Sequence, residues 1–250
     1  MVGYTDLMEL RSMSGKEHWQ SADFEKIMIA TVLSGEERIR HTPQSINMDC
    51  WSKLRRDVRQ VTAETGSEQW VGFYIDRQKK VFNIPPSRFT SYMGNQIIQT
   101  DNVESEELHY IEAGWDHPSG DSGRYVPIGG IHSHIGSEKD PRTQNPTASN
   151  RDLLSFVGDD CQLFMLIELH GKLFLALKTN STPRNLDPKT LQRRIGSLTE
   201  EFASSGSKVP IIDEDRLRFN QQIALEYGLS LYQSSDAEPD LLKRLPLFYS

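Results

Sequence analysis

The sequence is poor in cysteine: its 250 residues include only Cys50 and Cys161, too few for a disulfide framework or a cysteine-rich zinc site. It also lacks an excess of positive charge. Its 28 lysines and arginines are outnumbered by 35 aspartates and glutamates, and the resulting formal net charge of −7 argues against a nucleic-acid partner. The longest strongly apolar run, residues 163–167, is far shorter than a membrane span of about 20 residues. The first residues show no basic region leading into an apolar one, so we expect no signal peptide. These absences predict a cytoplasmic protein.

The remaining composition is that of a folded domain, because 36% hydrophobic, 25% charged and 9% aromatic residues suffice for a core. Hydrophobic periodicity predicts helices at residues 21–33, 49–65, from near 149, 187–202 and 213–227. Strand composition favours residues 70–75, 80–84, 125–131, 161–169 and 172–179. We expect residues 101–123 and the tail 233–250 to be irregular. Helices and strands in this order predict an α/β domain with a mixed sheet.

The most informative motif is a His-x-His pair at the end of the predicted strand 125–131. Residues i and i+2 of a strand project from the same face, so His132 and His134 can offer two imidazole nitrogens to one divalent cation. Gly129 and Gly130 precede the pair, as expected where the backbone is crowded against a site. The pair therefore predicts half of a metal site.

Asp152 is the candidate third ligand. Ser149 has the character of a helix N-cap, which puts Asp152 in the first helical turn, where its carboxylate can point back towards the strand. Ser137 and Asp140 form a rival Ser-x-x-Asp pair, but no apolar run follows them. Two histidines, an aspartate and an open fourth position for water are typical of a catalytic zinc site.

These residues resemble a known family. His132-Ser133-His134 with Ser149-Asn150-Arg151-Asp152 is similar to the signature of the JAMM (MPN+/JAB) metalloproteases, Glu … His-x-His … Ser-x-x-Asp. Members are zinc isopeptidases that remove ubiquitin or ubiquitin-like proteins from lysine side chains. The resemblance implies a cytidine-deaminase-like α/β fold, with a mixed curved β-sheet flanked by helices. It divides the chain into an N-terminal extension (residues 1–45), a metalloprotease domain (46–180) and a helical C-terminal extension (181–250).

The resemblance also implies a role for each residue. Zn²⁺ would be held by His132, His134 and Asp152, while Ser149 would stabilise the oxyanion of the tetrahedral intermediate. The family has a glutamate at the junction of its first helix and first strand, acting as general base and then acid, and Glu68 stands at that junction. Glu64, four residues earlier, competes for this role.

The sequence departs from the family pattern in two intervals and one residue. Ile135 stands where the family usually has proline, and the interval of 17 residues between His134 and Asp152 is longer than usual. The interval from Glu68 to the next glycine is one residue longer than the common form. We expect the insert at residues 135–145 to help shape a substrate groove.

Several alternatives stay open at this point. The chain can be an inactive MPN scaffold, or a metal-dependent amidase acting on a small peptide. A phosphoesterase that opens with His-x-His needs more downstream ligands than this chain supplies, and a cysteine protease is disfavoured because Cys161 is predicted to lie in the core. The expected partner is the tail of ubiquitin or a ubiquitin-like protein paired to a strand edge, with a possible activating subunit.

Overall fold

The computed structural model describes residues 15–36, 38–83, 90–93, 96–99, 124–135, 146–203 and 213–247. The strands in these ranges are β1 His18–Trp19, β2 Ser45–Asn47, β3 Glu68–Asp76, β4 Val81–Asn83, β5 Thr90–Met93, β6 Gln96–Gln99, β7 Tyr125–Ser133, β8 Phe164–Leu169, β9 Lys172–Lys178, β10 Leu229–Gln233 and β11 Leu241–Arg244. The helices are α1 Ser21–Leu33, α2 Ser52–Thr65 after a 3₁₀ turn at Asp49–Trp51, α3 Asn150–Gly158, α4 Pro188–Ala203 and α5 Asp213–Tyr227.

The described strands form one mixed sheet of eleven strands, in the order β1-β2-β11-β10-β9-β8-β7-β3-β5-β6, with β4 paired to β3. The pairs β7–β8 and β1–β2 are parallel, and the other strand pairs within the described residues are antiparallel. A parallel pair needs a crossover connection, and α3 lies within the segment that joins β7 to β8. The predicted mixed α/β sheet with flanking helices is thus confirmed.

Alternation along the strands divides the buried side chains between two faces of the sheet. On the first, the α1–α2 face, Phe24 and Val58 pack with strand residues such as Ile131. On the second, the α3–α5 face, Phe156 and Ile223 pack with strand residues such as Ile167. Both faces are covered, so the sheet is the central layer of the protein.

The predicted helices and strands are present close to their expected bounds, and the bounds of α1 and α5 are those predicted. The prediction of an irregular tail at residues 233–250 is wrong, because β11 lies in this segment and pairs with β10 and β2 inside the sheet. Its sequence, Leu-Leu-Lys-Arg, has too little alternation to indicate a strand, and the pairing partners are distant in sequence. The predicted loop 101–123 lies outside the described residues.

The prediction that Cys161 lies in the core is wrong. Cys161 is exposed, in a turn where its N–H donates to Asp159 Oδ1 at 2.9 Å, and the strand begins only at Phe164.

The sheet includes strands from the predicted N- and C-terminal extensions: β1, β10 and β11 belong to the same sheet as β3 and β7. None of the helices in the described ranges combines the length and hydropathy that crossing a membrane requires.

Candidate metal centre

Strand pairing brings the His-x-His motif next to the first residues of β3. In the antiparallel pair β3–β7, Trp70 lies opposite His132. Directly opposite residues share a face, and side chains two positions apart point the same way, so Glu68 projects from the same face near position 134. In the parallel pair β7–β8, His132 is the neighbour of Ile167, which belongs to the α3–α5 core. The histidines therefore face α3.

The start of α3 holds Asp152 in a fixed orientation. Ser149 is the N-cap: its Oγ accepts a hydrogen bond from Asp152 N at 3.2 Å, and its own N–H donates to Asp152 Oδ2 at 2.7 Å. This reciprocal pattern is a capping box, which satisfies two otherwise unpaired backbone donors of the first turn. The predicted N-cap is confirmed, and the cap turns the carboxylate towards β7.

The three predicted ligands converge within the spacing of one coordination shell. His132 Nε2 and His134 Nε2 are 3.0 Å apart, His134 Nε2 lies 3.2 Å from Asp152 Oδ2, and His132 Nε2 lies 3.5 Å from Asp152 Oδ1. Ligands about 2.0–2.1 Å from a tetrahedral zinc ion are separated by about 3.3 Å. The three side chains therefore have the spacing to hold one metal ion. Among the residues that the structure describes, they are the one cluster of three or more potential His, Cys, Asp or Glu ligands.

The electrostatics of the cluster suit a cation. Burial favours the neutral form of Asp152, but the charge and hydrogen bonds of His132 and His134 outweigh it and hold the pKa of this carboxyl well below its usual range. For His134, burial lowers the pKa, but the hydrogen bond and charge of Asp152 and the charge of Glu68 outweigh it, so the net pKa is raised. The cluster thus stabilises positive charge, and its three side chains could hold a divalent metal ion.

The two candidate glutamates lie in different surroundings. Glu68, the first residue of β3, is half-buried and close enough to His134 to act on it electrostatically. Glu64 is exposed on α2, where it accepts a hydrogen bond from Gln60 Nε2 at 2.7 Å. The structure brings Glu68, and not Glu64, to the face that carries the histidines. The rival pair Ser137 and Asp140 lies outside the described residues.

The opposite face of the sheet supports the metal centre through a buried hydroxyl group. Ser133, between the two histidines, points to the α1–α2 face, where its Oγ accepts a hydrogen bond from Gln69 N at 2.8 Å and contacts Thr62 Oγ1 of α2. Gln69 follows Glu68, so this bond fixes the start of β3 against the end of β7. Backbone pairing continues past β7, because His134 N donates to Glu168 O at 3.0 Å.

The two glycines before the histidines are required by close packing. A Cβ atom on Gly130 would lie 2.8 Å from the indole carbons of Trp70, and one on Gly129 would lie 2.3 Å from the Phe164 carbonyl oxygen. Both distances are shorter than real Cβ contacts. The Trp70 indole therefore packs closely against Gly130, and Trp70 lies opposite His132 in the strand pair, as expected for crowded backbone next to a site.

Sequence reasoning missed the residues that hold the segment before α3. Asn220 of α5 makes two hydrogen bonds to the backbone of Ala148: its Oδ1 accepts from Ala148 N at 2.8 Å, and its Nδ2 donates to Ala148 O at 2.9 Å. Gln233 Nε2 donates to Pro146 O at 3.0 Å. The signal available in the sequence was Asn220 itself, a polar residue among the apolar residues on one face of α5. Nothing in the sequence indicates which backbone group Asn220 binds.

Comparison of the chain with protein-family models, with curated proteins and with solved structures gave no match. The chemistry of the site therefore follows from its geometry. Two imidazoles and one carboxylate supply three ligands, and a tetrahedral ion held by three protein ligands keeps a fourth position for water or substrate. That arrangement is the one that catalytic zinc sites use, whereas structural sites are closed by four protein ligands.

Proposed function

We propose that the protein is a zinc-dependent hydrolase of the JAMM type, which cleaves the amide or isopeptide bond after the C-terminal tail of ubiquitin or a ubiquitin-like protein. The observation that carries the proposal is the convergence of His132, His134 and Asp152 at 3.0 to 3.5 Å, the edge lengths of a tetrahedral site. Glu68 on the same face and Ser149 at the start of α3 complete the resemblance to the family.

Zinc is the metal that this ligand set favours. Imidazole nitrogen and carboxylate oxygen at tetrahedral spacing match its coordination preferences, whereas calcium and magnesium take oxygen ligands in larger numbers. When bound, the ion would lower the pKa of a coordinated water to about 7 and polarise a carbonyl group.

The surrounding residues then have distinct tasks. The Glu68 carboxylate accepts the proton of the attacking water and returns it to the leaving amine, which departs as the C–N bond breaks. The Ser149 Oγ accepts from Asp152 N, which leaves its hydroxyl proton able to donate to the substrate carbonyl oxygen. The capping box keeps Asp152 oriented, so the ligand needs no rearrangement on metal binding.

We also propose that the domain has the specific fold of the JAMM family. The order of strands and helices between β3 and β9 is compatible with a cytidine-deaminase-like JAB domain with a curved sheet. We infer a cytoplasmic location, and a substrate tail bound as an added strand along a sheet edge. An activating partner subunit would fit this class of enzyme.

One observation favours a second candidate, an inactive MPN scaffold. His134 Nε2 and Asp152 Oδ2 lie 3.2 Å apart, and the two side chains can form this hydrogen bond as a purely structural pair. A metal-dependent amidase acting on short peptides would use the same three ligands as the isopeptidase and differ only in substrate.

Metal content and hydrolysis separate these candidates. We expect the purified protein to bind one equivalent of zinc by elemental analysis, and a His132→Ala/His134→Ala double variant to bind none. Glu68→Gln should keep the zinc and lose most of the hydrolysis of a ubiquitin C-terminal fluorogenic amide, whereas the matched control Glu64→Gln keeps both.

An unmutated protein without zinc after incubation with the metal would support the scaffold instead. Hydrolysis of short peptide amides but not of ubiquitin conjugates would indicate the amidase. Full activity in Glu68→Gln would show that the base assignment is wrong.

A further inference from the structure

A second cluster of charged side chains surrounds a cavity away from the metal centre. The cavity has a volume of about 280 Å³ and is lined by α2, by the turn between β8 and β9 and by the segment before β11. Its basic lining residues are Arg55 and Arg59 of α2 and His170 and Lys172 at the turn. Because α2 covers the face of the sheet opposite to the metal centre, the cavity and the centre are separate sites.

Two of the positive side chains are buried, whereas both lining carboxylates reach solvent. The Arg55 and Lys172 side chains are 6% and 11% exposed. Their ion-pair partners, Asp240 and Asp236, are 42% and 86% exposed, and Asp236 Oδ1 lies 3.4 Å from the lysine Nζ. Carboxylates in contact with water are screened and contribute little to an ion pair. They therefore offset the buried positive charges only in part.

Arg59 adds a third positive charge at the same place. Its Nη1 lies 3.5 Å from Oε1 of the buried Glu168 and 2.6 Å from the position that a Cβ atom on Gly171 would take, so the guanidinium lies directly against the turn. Arg55 Nη2 donates a hydrogen bond to the Gly171 carbonyl oxygen at 2.7 Å. Two guanidinium groups thus meet at one turn of the backbone.

The acids nearby do not fully compensate the Arg55 charge. Burial lowers the pKa of this guanidinium more than the charges of Asp240 and Glu168 raise it. The positive charge is therefore less favourable here than in water, and further negative charge in the cavity would stabilise it.

Two polar atoms of the lining residues lack a hydrogen-bond partner among the residues that the structure describes. They are Nε of Arg55 and Nε2 of His170, and both atoms are buried. A buried polar group without a partner is unfavourable. An anion in the cavity would offer acceptor oxygens to such groups and would compensate the positive charge at the same time.

We propose that this cavity binds a phosphate group. Donors line it from α2 and from the β8–β9 turn, which suits a tetrahedral anion with several acceptor oxygens better than a planar carboxylate with two. Guanidinium groups match the geometry of phosphate, and lysine binds it as a point charge. Small-molecule sites have volumes of about 300–1,000 Å³, so a cavity of this size accepts a free phosphate ion or a small phosphate monoester.

Equilibrium dialysis of the full-length protein against radiolabelled inorganic phosphate tests the proposal. We expect one equivalent to bind. Arg59→Gln should weaken binding at least about ten-fold, which corresponds to about 1.4 kcal/mol, because it removes a charge-assisted hydrogen bond. The matched control Arg56→Gln removes the same charge from an exposed position of α2 outside the cavity lining, and should keep the dissociation constant of the unmutated protein.

Competing anions test the class of ligand. Sulfate is also a tetrahedral dianion and should displace the labelled phosphate, whereas acetate at the same concentration should not. Glycerol 3-phosphate distinguishes the two sources of the phosphate group: displacement indicates a small monoester, and failure to compete indicates the free ion.

The proposal is overturned if the unmutated protein binds no phosphate, if Arg59→Gln and Arg56→Gln bind it equally well, or if acetate competes as well as sulfate. Loss of phosphate binding in the His132→Ala/His134→Ala variant would place the ion at the metal centre and would equally overturn it. Should Arg59→Gln fail to fold, Arg59→Lys keeps the charge without the planar fork and should still bind phosphate more weakly than Arg56→Lys.

Discussion

Replacing Asn220 with leucine tests how strongly α5 holds the metal centre in place. Asn220 and Ala148 are both fully buried, and the substitution removes both hydrogen bonds between them. It leaves the N–H and C=O of Ala148 without partners, and each unsatisfied buried group costs about 1–3 kcal/mol. We therefore expect the free energy of unfolding of the zinc-free protein to fall by about 2–6 kcal/mol, measured by urea denaturation.

The same substitution should weaken zinc binding. Ala148 precedes the N-cap Ser149, so loss of its anchor lets the capping box and the Asp152 carboxylate move away from the histidines. Outer-shell changes of this kind typically cost about 10–100-fold in metal affinity. A titration of zinc against a competing chelator measures the dissociation constant.

Ile223→Ala is the matched control, because Ile223 is buried on the same face of α5 and packs in the core of the α3–α5 face. It should cost about 2–5 kcal/mol of stability while leaving zinc affinity close to that of the unmutated protein. Equal zinc affinities for Asn220→Leu and Ile223→Ala would refute the idea that the Asn220–Ala148 contact positions the metal ligand.

The remaining predictions concern two residues of the sheet, with a control on α4. Burial, followed by the charge of Arg38, lowers the pKa of Lys178 from 10.5 to about 7, so between about pH 7 and 10.5 the unfolded chain carries a proton that the folded chain lacks. Stability should rise with pH across that window by up to about 1.4 kcal/mol per unit, and Lys178→Met should flatten the slope in urea denaturation at several pH values. Gly130→Ala should cost about 1–3 kcal/mol, because its Cβ would contact the Trp70 indole. Gly196→Ala, in the open on α4, should instead stabilise the protein by about 0.5–1 kcal/mol, and a Gly130→Ala variant as stable as the unmutated protein would contradict the packing argument.

Local patterns were sufficient for the features that depend on neighbours in sequence. The spacing of apolar residues located α1 and α5, and the two-residue period of a strand placed His132 and His134 on one face. Ser149 could be predicted as an N-cap because a cap is a contact between residues three positions apart.

Features that depend on distant partners could not be predicted in this way. β11 is a strand because β10 and β2 offer it unpaired backbone groups, and its own sequence has little strand character. The choice between Glu64 and Glu68 depends on the residue at which α2 ends and β3 begins. Asn220 lies far from the motif in the chain, and only the packing of α5 against the segment before α3 brings it there.

The placement of β10 between β9 and β11 bears on how this protein can be shortened. β10 pairs with β9 along five residues, from Leu229 to Gln233. A fragment ending near residue 180 would leave the edge of β9 that faces β10, from Phe174 to Lys178, with unpaired N–H and C=O groups, and would remove α4 and α5 from an apolar layer. Such an uncovered edge invites strand-to-strand association between copies, so proteolytic trimming of the C-terminal part would produce insoluble material instead of a smaller folded protein.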